Sequence, residues 1–474
     1  MGVVLIGSFM VVLDTSIVNV ALPQIGKDFG AVSGVEWVVT AYLLSVGVVQ
    51  PLTAWTADRL GKKRVFMWSL MAFTVGSLLS ALAPDLATLT GFRILQGLGG
   101  GAMMPVGMAM IYELFEPHER GTALGIWGIA VMAAPALGPA LGGFLSTAAT
   151  WRLLFLVNVP IGIVGTFAGF RLLRDVGFRE HRPFDGPGMA LAGIGLTLLL
   201  LGLSEAERWG WASPAFLATV VVGTVLLTAF VLRALRVRHP LVDVRMFGVP
   251  VFSVTIAIVW LMTVAQFARL VFIPLQLETL RGLSALRVGL VLTPSALGIA
   301  ITMPIGGRLA DRIGARLPVT VGLAIFAASY WPLSRLRLDT PLWFIALVLF
   351  VGGLGAGLSM MPNTVTAMNS VPGRYVSQAT AVRMLNRQVA GALGVAVLAT
   401  ILATRTGSNH PASAAAAPQA LGAYNEVFLI SLVLLALAFA LGFLLPDREQ
   451  TLALQEERRR EGERDGSRPL PPPE

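Results

Sequence analysis

Runs of about 20 apolar residues follow one another along almost the whole chain, and this repetition constrains the fold more than any single motif. Roughly fourteen runs reach the length that a bilayer core demands of a helix, near 3–22, 35–54, 65–82, 88–110, 123–146, 152–170, 189–204, 215–232, 251–275, 288–306, 317–334, 342–361, 379–402 and 425–445. In hydrocarbon each backbone amide must find its partner inside its own helix or in a closed barrel, and no alternating strand pattern occurs, so the runs are predicted to be helices. The expected fold class is all-α, a polytopic membrane protein. With 55% hydrophobic and 13% charged residues among 474, no soluble surface could be made.

A net charge of +9 would suggest nucleic acid in a soluble protein, but here the basic residues lie in short patches between apolar runs, which excludes that partner. With a cytoplasmic N-terminus, Arg59, Lys62, Lys63, Arg64, Arg120, Arg171, Arg174, Arg233, Arg308, Arg312 and Arg316 fall on inner loops, and inner basic residues outnumber outer ones about two to one. Both termini are therefore expected in the cytoplasm, as an even number of spans requires. The first apolar run starts almost at Met1 without a basic leader or cleavage site, so it reads as a retained span. Cysteine is absent and four scattered histidines have no ligand spacing, so no metal, cofactor or disulfide is expected.

The chain also repeats itself. Ala54-Trp55-Thr56-Ala57-Asp58-Arg59-Leu60-Gly61-Lys62-Lys63-Arg64 after the second run is answered by Gly307-Arg308-Leu309-Ala310-Asp311-Arg312-Ile313-Gly314 after the tenth. Gly97-Leu98-Gly99-Gly100-Gly101 is answered by Gly353-Leu354-Gly355-Ala356-Gly357 at nearly the same offset. Two motifs in register mark a parallel duplication, a known plan for transporters. The expected organisation is a six-helix bundle over 1–175, an inserted helix pair with its loops over 176–250, a second six-helix bundle over 251–446, and a disordered cytoplasmic tail over 447–474. The outer loop is expected at 403–424. Nothing has the size of a catalytic domain, which argues against an enzyme.

Function is sought where polarity survives in apolar runs. Asp14 stands in the middle of the first run, where a carboxylate is costly and usually serves a proton or substrate path. Asn19 can line the same cavity. Arg93 enters the fourth run with Gln96 three residues on, so both polar groups share one helix face. Arginine keeps its charge, so a switchable Asp14 beside a permanent Arg93 makes a coupling pair. Gln266, Arg269, Gln276, Glu278, Met360 and Asn363 are candidates for a substrate cavity. Arg383, Arg387 and Gln388 are expected to anchor at the membrane interface. In the repeated loops, Asp58, Arg59, Gly61, Arg64, Gly307, Asp311, Arg312 and Gly314 form candidate gates, because an aspartate there can cap a neighbouring helix and latch one conformation. The fifth run carries Gly125, Gly138, Pro139, Gly142 and Gly143, a small-residue pattern that permits close helix approach.

Taken together, these motifs resemble the major facilitator superfamily, and within it the drug:proton antiporters with fourteen spans. Leu13-Asp14-Thr15 through Asn19-Val20-Ala21-Leu22-Pro23 is similar to that branch's first-span motif, and Gly307 to Gly314 to the superfamily's inner-loop signature. Ala54 and Thr56 depart from that signature. Arg93 with Gln96 and Gly97 looks like the fourth-span motif, which implies a role in proton coupling. Gly125 to Gly143 look like the antiporter motif, with Ala134 at a glycine position, and Trp151-Arg152 and Asn158-Val159-Pro160-Ile161-Gly162 also resemble the branch. The resemblance implies an inner-membrane, monomeric, proton-driven exporter of small lipophilic compounds, cations among them, in contact with lipid. A dedicated exporter of one lipid or secondary metabolite is the alternative, and a non-transporting receptor a more remote one.

Overall fold

The computed structural model describes residues 1–30, 34–116, 118–148, 150–174, 183–406 and 417–450. Its helices are α1 Gly2–Asp28, α2 Trp37–Leu60, α3 Lys62–Ala81, α4 Leu86–Leu114, α5 Arg120–Ala148, α6 Arg152–Leu156, α7 Asn158–Leu172 and α8 Gly186–Ser204. They continue with α9 Ala206–Trp209, α10 Pro214–Arg236, α11 Pro250–Arg281, α12 Ala285–Ile313, α13 Arg316–Leu333, α14 Leu342–Asn369, α15 Val376–Thr406 and α16 Ala417–Gly442. Among the described residues twelve segments are long and apolar enough to cross a membrane, with α6 and α7 joined as one. The expected fourteen exceed this count by α5 and α13, and α13 is only 18 residues long. Most of the tail expected over 447–474 lies outside the described residues.

Several helices outrun their apolar cores. α1 extends to Asp28 and α15 to Thr406, and α16 starts at Ala417, so the loop expected at 403–424 shrinks from both sides. A helix needs no hydrocarbon to continue once nucleated, because each added residue closes one more hydrogen bond. Termination follows from local chemistry. Gly61 (φ 92°) and Gly314 (φ 85°) end α2 and α12 in a backbone region that side chains avoid, which is why glycine recurs at both repeats. Asp85, Asp185 and Ser213 cap α4, α8 and α10 through their side chains.

Polar ties define two faces. On the near face, which carries Met1, Lys62 meets Glu113 at 3.0 Å, Lys63 donates to the Phe170 carbonyl at 3.0 Å, and Arg316 Nε to the Leu445 carbonyl at 2.8 Å. On the far face, Trp151 Nε1 donates to Asp28 at 2.8 Å, Arg208 pairs with Glu36 at 3.1 Å, and Asn425 donates to the Leu336 carbonyl at 3.1 Å. Helices α1–α7 pack as one bundle and α11–α16 as another, and the two meet where α2 lies on α15 and α5 on α12. The pair α8 and α10 packs beside them, with α8 against α2 and α15. α10 exposes Leu217, Val221, Val222, Val225 and Leu232, an apolar outer face suited to lipid rather than water.

Candidate functional site

Asp14, Arg93, Gln96 and Asn158 converge inside the first bundle, and none has any exposed surface. Close helix approach brings them together. Gly76 of α3 faces the backbone of Gln96 so tightly that a Cβ would lie 2.8 Å from it, and at Gly97 one would lie 2.6 Å from the Tyr42 carbonyl. Arg93 Nη1 donates to Asp14 Oδ2 at 2.5 Å and to Gln96 Oε1 at 2.7 Å, while Nε donates to the Val38 carbonyl at 3.0 Å. Gln96 Nε2 and Asn158 Nδ2 both donate to Asp14 Oδ1, at 2.9 and 3.1 Å. The guanidinium also lies over the Tyr42 ring, 4.1 Å from its centroid. Withdrawing two charges from water costs several kcal/mol per ion, and only close pairing with further hydrogen bonds offsets it. Both carboxylate oxygens are thus engaged. Asn158 was not singled out as a site residue. It opens α7 just after the turn at Val157, with its amide against Asp14. Asn19 is exposed and takes no part in this network.

A second feature lies between the bundles, a cavity walled by Met108 and Trp127 on one side and by α11, α14 and α15 on the other. Gln266, Met360 and Asn363 line it, as do Arg383 and Arg387. The two arginines are not the interfacial anchors that the sequence suggested. α15 starts at Val376, so Arg383 is already two turns inside the helix, where it lines the cavity and donates to Thr364 of α14. Gln388 donates across the bundles to the Leu43 carbonyl at 3.0 Å. Arg269 is buried outside the cavity, 5.2 Å from the Phe326 centroid. Gln276 is buried too, and Glu278 is exposed at the far end of α11.

On the near face the repeated loops differ in their contacts. Asp311 Oδ1 accepts from the Gly121 amide at 3.1 Å and Oδ2 from the Thr122 amide at 3.2 Å, so the carboxylate caps the start of α5 from the other bundle. Gly307 packs on the Gly121 carbonyl with no room for a Cβ, and at Gly125 a Cβ would lie 2.6 Å from Pro304. Tyr112 donates to Asn369 at 2.5 Å beside them. In the first repeat, Asp58 lies 4.0 Å from Lys62, and the exposed Arg59 stands over Trp55. Arg64 and Arg312 are exposed. Farther along α5, Gly138 packs on Ser16 of α1 and Gly142 is buried, whereas the surroundings of Pro139 and Gly143 lie outside the described residues.

Comparison with known proteins places this geometry. The sequence profile of the Major Facilitator Superfamily matches residues 4–395 and again 256–471. An uncharacterized MFS-type transporter, YhcA of Bacillus subtilis (strain 168), is 35% identical over 85% of this chain and 76% of its own. A multidrug resistance protein B homolog of Mycobacterium tuberculosis (strain ATCC 25618 / H37Rv) is 33% identical over 85% and 75%, and the tetracenomycin C resistance and export protein of Streptomyces glaucescens 32% over 86% and 76%. In fold, the human organic anion transporter MFSD10 superposes with a TM-score of 0.61 over 92% of this chain and 98% of that one, at 17% identity. Two helical bundles around a central cavity, with a profile match across most of the length, make this chain a multi-pass membrane transporter that belongs to the Major Facilitator Superfamily.

Proposed function

We propose that the protein is a proton-driven antiporter that exports small lipophilic molecules by alternating access. The observation that carries this reading is the fully buried Asp14, bonded to Arg93, Gln96 and Asn158 in the bundle that also closes on the second one. Relatives named for multidrug resistance and for export support the direction and the substrate class. On this reading α5 and α13 also cross the bilayer, giving fourteen spans in two six-helix units with α8 and α10 inserted between them. The near face is cytoplasmic and carries both termini. Asp311 over α5, with Gly307 against Gly121, holds that face shut, so the cavity of this conformer communicates outward. Asp14 takes a proton from the outer side as its donors loosen and gives it up inside, and Arg93 returns to the carboxylate when the proton leaves. Proton entry down its gradient then drives substrate out.

Reconstituted protein should export a lipophilic dye when a pH gradient is imposed, and Asp14→Asn should lower the gradient-driven rate at least about 100-fold, because a neutral amide neither takes nor releases a proton in this range. Retention of gradient-driven export by the Asn variant sinks the coupling role.

A further inference from the structure

We infer that the central cavity binds an organic anion, an amphiphile with a carboxylate, sulfonate or acidic phenolate on an apolar body, and that Arg383 and Arg387 receive its charge. This rests on the transporter reading above and specifies its substrate. Arg383 and Arg387 stand one turn apart on α15, so both side chains leave the same helix face, and both line the cavity. Arg383 is 7% exposed. One of its terminal nitrogens donates to Thr364 Oγ1, and the other, Nη1, is a buried donor without a partner among the described residues. Among the described residues no carboxylate pairs with either arginine, and the cavity wall contains no aspartate or glutamate.

Two guanidinium groups keep their charge at any accessible pH. Side by side in the cavity wall they repel each other, and burial of Arg383 without a counter-charge is costly. A ligand anion removes both penalties at once, and the planar fork of arginine matches the paired oxygens of a carboxylate or sulfonate. The remaining wall suits the rest of such a molecule. Trp127 offers an aromatic face, Met108, Met262 and Met360 offer polarizable apolar contacts that adapt to different shapes, and Gln266 and Asn363 supply hydrogen bonds. A cationic ligand would meet two like charges and no acid. Asp14 is not in the wall and already pairs with Arg93.

Tetraphenylborate and tetraphenylphosphonium share a shape and differ in the sign of their charge, which isolates the electrostatic part of recognition. Their binding to the full chain in uncharged maltoside micelles is measured by equilibrium dialysis, with protein-free micelles subtracted and no proton gradient present. The wild type should bind the borate at least about tenfold more tightly than the phosphonium. Arg383→Gln with Arg387→Gln should abolish that preference. Arg387→Gln alone, at the less buried position, should reduce it in part, and Arg387→Lys should restore it, which separates lost charge from lost folding. Equal or tighter phosphonium binding by the wild type, or an unchanged preference in the folded double variant, overturns the inference. Displacement of the borate by added phosphatidylglycerol would assign the arginines to a lipid headgroup and overturn it as well. Asp14→Asn should keep the anion preference while losing gradient-driven export, so failure of the coupling mechanism and failure of the anion site give different results.

Discussion

The pair at the centre of the first bundle is expected to be more costly to break than to remove. Arg93→Met leaves the buried Asp14 carboxyl with only the two amide donors of Gln96 and Asn158, a loss of about 3–5 kcal/mol. Combining it with Asp14→Asn removes both charges, and the double variant should be more stable than Arg93→Met by at least about 1 kcal/mol in denaturant unfolding. A double variant no more stable than the single one would deny that the two charges support each other. Asn158→Ala withdraws one donor from Asp14 Oδ1, which still accepts from Gln96, and should cost only about 1–2 kcal/mol. These residues also mark what a sequence can disclose. Asp14 and Arg93 stand out because a charge in an apolar run needs an explanation. Asn158 does not stand out, because an amide is cheap enough to occur in many spans, and its partner is 144 residues away. Arg383 and Arg387 were visible but misplaced. Sequence gives their depth along a helix roughly, while the direction they face depends on how α15 is rotated against α2 and α11.

Among the elements, the start of α5 is held by a carboxylate from a different bundle, and on the proposed reading that contact keeps the near face shut. Asp311→Asn keeps the shape but removes the negative charge opposite the α5 amides, at a cost of about 1 kcal/mol. The near-face-closed population should then fall about fivefold relative to the open one. The chain has no cysteine, so a single Thr364→Cys placed in the cavity reports this directly. Its labelling by an impermeant thiol reagent applied to the near face should rise in the Asp311→Asn background and stay low without it. The other tested cap lies outside the membrane. The Thr88 amide and hydroxyl hold the Asp85 carboxyl below its ordinary range. A depressed folded pKa contributes stability that is present above the unfolded value and is lost as pH falls through the folded one. Protection of the first turn of α4 should therefore weaken on strong acidification, and Asp85→Asn should remove that dependence, as amide exchange of Thr88 would record. The recurrence of an aspartate and a glycine in both loops was legible because a positive φ leaves a mark in sequence. The lengths of the helices were not, because their last turns lie beyond the apolar stretch that defines a span.

At the scale of the whole molecule, the two charge clusters together predict how transport responds to voltage. On the proposed reading Asp14 with Arg93 handles a proton inside the first bundle, while Arg383 and Arg387 line the cavity between bundles, whose described wall holds no acid. That the chain is a bundle of long apolar helices was readable from its repeated spans. The opposite character of the two clusters was not, because it depends on which charges already have partners. If an anion leaves the cell as one proton enters, each cycle carries a negative charge out and a positive charge in. Every 100 mV of interior-negative potential then favours export by about 4.6 kcal/mol per cycle, twice the value for a single charge. A monovalent cation exchanged for one proton would carry no net charge, and the same potential would leave it unaffected. Vesicles preloaded with an aromatic sulfonate, oriented with the near face inward and held at constant pH gradient, make the comparison. A potassium diffusion potential, interior negative, should accelerate sulfonate export several-fold and raise its final extent, and collapsing the potential should reverse the gain. Arg383→Gln with Arg387→Gln should lower the sulfonate flux without making the residual flux less sensitive to voltage, since the charges moved per cycle belong to ligand and proton rather than to the arginines. Export indifferent to potential would mean that compensating charges move, and would reject the one-for-one exchange of proton and anion.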